Sequence, residues 1–443
     1  AGLSMNMAEG IGTFWNPKLS EVHHFSFHEH PPLVFGIQSL AFEVFGPSIV
    51  TERIYTVLVF ILSALLLVLL WREVFRDNRS ARRLWFIPLT IWLANEVVYH
   101  FYAANMLEPT MTLFTSGAVY LGLHANRSGT GFTYQLAAAA LAGLCVFAAT
   151  LCKGFVALFP LAFYVLHWLI YRNRPVLRPV LLTLVMVATL ALAYLLLLQH
   201  PPAYEALKTY FDSQVMASLL SERSYEPHFR SSRFYIVEKA FLVLIPAMLI
   251  ALITVLAGTR MTDIQRQISP YLRPALLFLG IGLAASLPLA VSLKQSFYYL
   301  LPSMNYFALG FAILTAAGAV PLFSRPMGKR WSQLLTGVMV LLLIAGLANT
   351  ARHWGQVNRR DRVVLNDIDQ MNTVLQPTAV IGSQGDIAGL VSYFYRTNRI
   401  SIDTTAANVS GYEVMVAQKD TTFSGYQPVP LTTEKYGLYR RID

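Results

Sequence analysis

The sequence predicts an α-helical polytopic membrane protein with about ten transmembrane helices and a small α/β domain at its C-terminal end. The chain has 443 residues with a mean hydropathy of +0.49, of which 55% are hydrophobic and only 13% are charged. Soluble globular chains carry about a quarter charged residues. Apolar runs long enough to cross a bilayer recur up to about residue 351, where the sequence turns polar. These values argue against a single soluble domain, a disordered chain and a nucleic-acid-binding arm.

Residues 1–52 are predicted to form an extracytoplasmic loop with juxtamembrane helices. Segment 33–46 is apolar but too short to cross a bilayer, so an interfacial helix is expected there. The chain opens at Ala1 without an initiator Met or the charged and apolar regions of a signal peptide. Either a signal segment has been removed, or the chain is a fragment whose first helix is missing.

Residues 53–351 are predicted to form the transmembrane helical domain. A spanning helix needs about 20 apolar residues. Ten runs approach or meet this length: 53–75, 84–105, 109–126, 133–152, 154–171, 178–199, 234–257, 272–293, 297–323 and 331–349.

The distribution of Lys and Arg predicts the orientation of these spans. Alternate loops collect 15 basic residues against three acidic ones, starting with Arg72, Arg76 and Arg79. Cytoplasmic loops of membrane proteins are enriched in Lys and Arg, so this side is predicted to be cytoplasmic. The other side then carries residues 1–52, the long loop 200–233 and the C-terminal region.

Residues 352–443 are predicted to form a small extracytoplasmic α/β domain. A helical pattern covers about 361–375, and short β-rich runs occur at 379–382, 414–417 and 436–439. About 90 residues are enough for a modest core.

Ionisable residues cluster at the predicted extracytoplasmic ends of the spans. Charged side chains at membrane depth cost free energy and are usually retained for function. Glu29 lies between His28 and His30, just before Pro31-Pro32 and an apolar helix. Glu and His also ligate divalent metals. A solvated interfacial loop is the alternative for this segment. Glu108 is a lone carboxylate in a minimal turn and is a candidate general base, acceptor-orienting group or metal ligand. A charge that complements the helix dipole is the alternative.

Two isolated lysines fall on the same side. Lys153, in Cys152-Lys153-Gly154, and Lys294, ahead of Tyr298 and Tyr299, are each candidates to bind an anion such as phosphate. Snorkelling to the interface, or a plain aromatic belt, are the alternatives. In loop 200–233, His228 and Arg230 suit metal or phosphate contact, unless the loop is only a solvated basic segment.

Taken together, these pieces resemble the GT-C glycosyltransferases that use polyprenyl-phosphate sugars, most closely the bacterial aminoarabinose-transferase-like and protein-mannosyltransferase-like branch. The resemblance is carried by ordered segments spread over about residues 5–310: AEGIGTFWNP, HEHPPL, FEVFGPSIVTERIY, AANMLEPTMTLF, TLCKGFVALFPLAF and SLKQSFYYLLPSMNYFAL. It implies a multi-helix membrane protein that transfers a sugar, with inversion, to a lipid, glycan or protein acceptor outside the cytoplasm.

The resemblance also implies roles for individual residues. Glu108 matches the family's second acidic position, and Glu29 matches the acid ahead of the proline in the first loop. Lys153 and Lys294 match donor-phosphate positions, with Arg230 as a further candidate. His30, Tyr298 and Tyr299 would contact substrate. A divalent metal would be held by Glu29 and His228; no other cofactor and no nucleic acid is expected.

Two departures from the family pattern stand out. The family's first carboxylate lies just after its first helix, ahead of the stretch with which this chain opens. The resemblance therefore implies an N-terminally truncated chain that lacks its first helix and its catalytic Asp. His30 stands where many relatives carry Lys. A membrane transporter or lipid flippase is the alternative function, but transporters place ionisable groups near the midplane and often in repeated halves. A structural or assembly subunit is a third hypothesis.

Overall fold

The protein is described here by a computed structural model. It describes residues 1–20, 22, 25–219, 234–259, 264–291, 295–323, 361–385, 387–404, 411–422 and 424–442, with isolated positions between 333 and 352. The chain forms two compact units. One comprises His28–Thr336, and the other comprises Ala1–Phe27 together with Gly337–Asp443.

Helices dominate the described chain. In chain order they are α1 (Gly2–Ala8), α2 (Leu33–Phe45), α3 (Ile49–Val74), α4 (Arg79–Arg82), α5 (Phe86–Leu93), α6 (Glu96–Tyr102), α7 (Glu108–Ala125), α8 (Phe132–Lys153), α9 (Phe163–Tyr171), α10 (Leu177–Leu197), α11 (Pro201–Tyr210), α12 (Ala217–Leu219), α13 (Tyr235–Thr259), α14 (Ile264–Ser286), α15 (Leu301–Phe323), α16 (Arg362–Asn372) and α17 (Ala388–Asn398). Segments of 3₁₀-helix (Gly154–Ala162, Leu287–Val291, Phe297–Leu300) and one π-helix (Phe211–Met216) continue or precede several of them.

The predicted polytopic helical fold is confirmed. Within the described residues, six stretches are long and apolar enough to cross a membrane: Ile49–Val74, Phe132–Tyr171, Leu177–Leu197, Tyr235–Gly258, Gln265–Val291 and Phe297–Phe323. They take in seven of the ten predicted spans, because Phe132–Tyr171 joins two of them. Segment 33–46 is the short apolar helix α2, which ends at Gly46 with a φ of +80°.

The remaining predicted spans differ from the structure or lie outside its description. The run 84–105 is divided between α5 and α6, because the Asn95 side chain accepts a hydrogen bond from the Val97 N–H at 3.0 Å and starts a new helix. The run 109–126 is the 18-residue helix α7, which is long enough but is not among the six stretches because it is less apolar. The run 331–349 lies almost entirely outside the described residues.

Side-chain contacts between the described helices define the two ends of the helical bundle. The hydroxyls of Tyr55 and Thr110 hydrogen-bond at 2.6 Å near the starts of α3 and α7, while Glu73 pairs with Arg127 where these helices finish. Helices α3 and α7 therefore run in the same direction. At the second end Arg178 also donates to Gln135 at 2.8 Å. We call this second end the arginine end, defined by Arg72, Arg76, Arg79, Arg82, Arg83, Arg127, Arg172, Arg174 and Arg178.

The other unit contains the small sheet domain expected at the C-terminal end. Its five strands are β3 (Val380–Ser383), β4 (Ser401–Asp403), β5 (Val414–Gln418), β6 (Tyr426–Pro428) and β7 (Tyr436–Arg441). Their order is β4-β3-β5-β7-β6, with β3 parallel to β4 and β5 and the other pairs antiparallel. Apolar residues of α16, α17 and the sheet, such as Met371, Phe394 and Val416, form the core of this unit.

Residues 1–27 belong to the same unit as the sheet. They form α1 and a two-stranded hairpin, β1 (Gly12–Thr13) with β2 (Asn16–Pro17). Arg399, in left-handed conformation just after α17, donates to Asn6 Oδ1 at 2.5 Å and forms an ion pair with Glu9. The sequence-based prediction places these first residues in the extracytoplasmic loop 1–52.

Candidate functional site

Glu108 and Lys153 meet at the end of the bundle opposite the arginine end. Glu108 is the first residue of α7 and Lys153 the last residue of α8, and Lys153 Nζ donates a hydrogen bond to Glu108 Oε1. The two side chains form an ion pair with exposures of only 1% and 8%. The sequence predicted each as an isolated charge on one side of the membrane, and the fold brings them into contact.

Two tyrosine rings face the same ammonium group. Lys153 Nζ lies 4.8 Å from the ring centroids of both Tyr298 and Tyr299. These tyrosines stand on the 3₁₀ turn Phe297–Leu300 that leads into α15. A cation over an aromatic face is stabilised by the ring quadrupole, more so when both are desolvated. Lys153 is thus held by one carboxylate and two aromatic faces.

The turn before Glu108 is tied to the neighbouring helices. Asn105 has a φ of +50°, and its side-chain oxygen accepts a hydrogen bond from Gln38 of α2 at 3.0 Å. Arg53 of α3 donates to the Ala103 carbonyl at 2.5 Å. These contacts fix where α7 starts, and they therefore fix the position of the Glu108 carboxylate.

The carboxylate retains unused hydrogen-bonding capacity. Within the described chain, Glu108 Oε2 is buried and accepts no hydrogen bond. A buried polar atom without a partner costs roughly 1–3 kcal/mol, so such atoms are usually explained by function or by a bound group. The cavity beside it, lined by Glu108, Lys153, Leu289, Tyr299 and Pro302 among others, is only about 10 Å³. That volume is about one water, so a sugar enters only if the lining moves.

An apolar groove of about 470 Å³ begins next to the pair, at Gly154. Phe155 and Leu158 of the 3₁₀ segment line it, together with Val187 and Leu190 of α10. Its polar groups are few and include the Tyr194 hydroxyl, which donates to Thr150 at 2.8 Å. A groove of this size and character, open along an apolar bundle, suits a hydrocarbon chain.

Gly154 joins the pair to the groove. Its φ is +77°, and a Cβ there would lie 1.9 Å from the Tyr210 hydroxyl oxygen. Only glycine combines this backbone conformation with such a close approach. Tyr210 belongs to α11, which also presents Lys208 to the groove.

Glu29 and His30 lie in the segment that leads to this groove. Glu29 is exposed, His30 is half-buried, and Pro31 lines the groove. Burial lowers the pKa of the neighbouring His28 below its usual value. The described contacts do not join Glu29 to the Glu108–Lys153 pair.

Three predicted site residues lie outside the described residues: Lys294, Arg230 and His228. Among the residues that the structure describes, no group of three or more His, Cys, Asp or Glu side chains is placed to hold a metal ion.

Three groove residues, Tyr194, Lys208 and Tyr210, were not predicted from the sequence. The segment 200–233 was predicted to be a loop, whereas its first part is α11. The Pro201-Pro202 start, followed by Ala203, Ala206 and Leu207 at helical spacing, is the signal that would have predicted this helix.

Comparisons with known proteins add to this geometry. Residues 29–198 match the family model described as dolichyl-phosphate-mannose-protein mannosyltransferase. The fold is similar to that of ArnT from Cupriavidus metallidurans bound to undecaprenyl phosphate, with a TM-score of 0.65 and 15% identity over 100% of this chain and 92% of that one. Comparison with curated protein sequences gives no match.

Two further structures are similar. ArnT in the apo state has a TM-score of 0.64 and 14% identity, over 99% of this chain and 92% of that chain. The apo oligosaccharyltransferase from Archaeoglobus fulgidus has a TM-score of 0.53 and 14% identity, over 94% of this chain and 65% of that chain.

Proposed function

We propose that this chain, which has the fold of the GT-C glycosyltransferases, is a membrane enzyme that moves a sugar from a polyprenyl-phosphate donor to an acceptor. The acceptor would be a hydroxyl of a lipid, glycan or protein. The single observation that carries the proposal is the buried Glu108–Lys153 pair, whose lysine directly precedes Gly154 in the lining of the apolar groove. It places a cation, a carboxylate and a hydrocarbon-binding surface within one region of the bundle.

The groove would hold the polyprenyl tail of the donor. Its walls are apolar side chains of α10, α11 and the 3₁₀ segment, and it opens beside Gly154. A tail seated there brings the phosphate next to Lys153, because Lys153 and Gly154 are adjacent in the chain. A related protein of this fold has been crystallised with undecaprenyl phosphate.

Lys153 would then act on the leaving phosphate, and Glu108 would act on the acceptor hydroxyl. When the donor phosphate binds Lys153, the Glu108 carboxylate loses its partner and becomes free to accept a hydrogen bond from the acceptor hydroxyl. The acceptor oxygen forms a bond to the anomeric carbon while the bond from that carbon to the phosphate oxygen breaks. The electron pair leaves with the polyprenyl phosphate, where Lys153 stabilises the charge, and the acceptor proton passes to Glu108. One such displacement inverts the anomeric centre.

Other residues complete the proposed site. Tyr298 and Tyr299 would position Lys153 and contact the sugar, and His30 would approach from the segment before the groove. Lys294 and Arg230 are proposed as additional donor-phosphate ligands and Glu29 as a second catalytic carboxylate. A divalent metal, with Glu29 and His228 as ligands, is a separate proposal, and no step of the mechanism above passes through it.

The test measures release of polyprenyl phosphate from undecaprenyl-phosphate donors that carry labelled hexoses or pentoses, with membrane extract as acceptor. Glu108→Gln and Lys153→Ala are each expected to reduce release at least about 100-fold, because each removes a group that acts in the transition state. Glu205→Gln and Lys435→Ala are the matched controls, since both side chains are exposed.

The outcomes separate clearly. Loss of release in the two site variants, with activity retained in both controls and in the unsubstituted protein, supports the proposal. Site variants as active as their controls contradict the proposal, and so does release from none of the donors by the full-length protein that carries the family's first carboxylate.

A further inference from the structure

A second groove lies at the arginine end of the bundle. It has a volume of about 650 Å³. Four arginines surround its mouth: Arg72, near the end of α3, Arg79 and Arg82 of α4, and Arg83. It shares no lining residue with the groove at Gly154. The proposed glycosyl transfer does not use it.

The wall of this groove is apolar and runs along α3. Phe60, Ile61, Leu65 and Val68 line it, with Trp85 and Leu89 from the opposite side. From Phe60 to Arg72 the helix rises by about 18 Å. One leaflet of a bilayer core is about 15 Å deep. The groove is therefore about as long as one leaflet of the hydrocarbon core is deep. Its arginines lie at the end that would be nearer the membrane surface.

The arginine charges at the mouth are not neutralised by nearby acids. Glu73 is the closest acidic residue in the chain to Arg72, but its carboxylate pairs with Arg127 and His124. Asp77 Oδ1 lies 3.5 Å from Nε of Arg76, and Arg76 does not line the groove. Over the described ranges, no acidic side chain forms an ion pair with any of the four groove arginines.

We infer that this groove binds an anionic phospholipid of the bilayer, with its phosphate among the four arginines and one acyl chain along the α3 wall. The charge complementarity favours an anion, since four guanidinium groups converge on one mouth and guanidinium binds phosphate through several parallel hydrogen bonds. The apolar wall favours an anion that carries a hydrocarbon chain. Basic pockets beside membrane helices are where acidic lipid head groups bind.

The test compares two lipids with the same acyl chains, phosphatidylglycerol and phosphatidylcholine, by native mass spectrometry of the full chain in detergent. The triple variant Arg79→Gln, Arg82→Gln, Arg83→Gln is compared with the control Arg76→Gln, Arg172→Gln, Arg266→Gln. Both triple variants remove three positive charges from exposed or half-buried positions. The residues changed in the control variant do not line the groove.

The groove triple variant is expected to bind phosphatidylglycerol about 100-fold more weakly, at about fivefold for each basic side chain. The control triple variant should stay within about twofold of the unsubstituted protein. Phosphatidylcholine binding should be weak in all three. Equal loss in both triple variants would overturn the inference, because it would mean that only net charge matters.

The acyl chain is tested separately. Ile61→Asn with Leu65→Asn adds polarity to the wall without changing charge, and it is expected to weaken phosphatidylglycerol binding about tenfold. Glycerol phosphate, which has the anion but no chain, should not displace the lipid. Displacement by glycerol phosphate, or unchanged binding in the wall variant, would overturn the assignment of a lipid to this groove.

Discussion

A buried ammonium ion needs compensation, and Lys153 receives it from Glu108 and from two tyrosine rings. Taking both charges out of water costs several kcal/mol per ion, and their attraction offsets this only while both partners are present. The pair is therefore sensitive to removal of one charge and more tolerant of removal of both. The stabilities of single and double variants therefore report whether Glu108 and Lys153 are in contact, independently of activity.

Single removal of either charge should destabilise the bundle more than double removal. Glu108→Gln alone leaves an unpaired buried ammonium group and is expected to cost about 3 kcal/mol. Glu108→Gln combined with Lys153→Met should recover more than half of this cost. Thermal unfolding in detergent measures the difference, and a double variant less stable than either single one would contradict the pairing.

The sequence predicted the residues of this pair but not their contact. Glu108 and Lys153 were found because each is a lone charge beside an apolar run. Their pairing depends on how α7 and α8 align, which no local pattern encodes. Tyr298 and Tyr299 were predicted near substrate, whereas the structure shows their rings against Lys153.

At the scale of elements, the passage from α8 into the 3₁₀ segment is the most constrained junction near the site. Gly154 lets the chain turn with a positive φ while α11 packs Tyr210 directly against it. The sequence did not predict this partner, because Tyr210 lies in a stretch interpreted as loop.

Substitutions at Gly154 and Tyr210 separate the cost of backbone strain at Gly154 from the cost of steric overlap with Tyr210. Gly154→Ala is expected to lower stability by at least about 1–2 kcal/mol from the positive φ alone, with a further loss from overlap with Tyr210. Adding Tyr210→Ala should remove the overlap part and leave the backbone part. Thermal unfolding of the four proteins in this cycle measures the coupling; additive effects would show that the two residues are not in contact.

In the sheet unit, one carboxylate anchors a helix to a strand. Asp367 of α16 accepts hydrogen bonds from the backbone N–H groups of Glu434, Lys435 and Tyr436 at 2.7–2.9 Å. Asp367→Asn replaces one acceptor oxygen by a donor and is expected to cost about 2–4 kcal/mol. The exposed Asp369 provides the control as Asp369→Asn. Protease resistance of the sheet unit reports the difference, and equal resistance of the two variants would contradict the anchoring role.

Over the whole molecule, the described basic residues of alternate loops gather at one end of the helical bundle, as their spacing predicted. Which side of the membrane this end faces follows from the positive-inside rule and is a proposal. The packing of residues 1–27 with the sheet could not be predicted in the same way. Asn6 and Arg399 are 393 positions apart, and hydrophobic periodicity reports only on neighbours in sequence.

Impermeant maleimide labelling of intact bacterial cells tests the proposed sidedness. With Cys145 and Cys152 replaced by alanine, Gln199→Cys should react from outside and Ser80→Cys only after the cells are opened. Both positions are exposed, so reactivity reports access rather than burial. The reverse pattern would place the Glu108–Lys153 pair on the cytoplasmic side.

The water-sized cavity between Glu108, Lys153 and Tyr299 has a consequence for the timing of turnover. An activated sugar that waits beside a carboxylate in open solvent is lost to hydrolysis. The described lining leaves room for about one water. Under the proposed function, the reactive space would therefore form only as the substrates enter, and the order in which they arrive would decide whether water is excluded before the sugar is transferred.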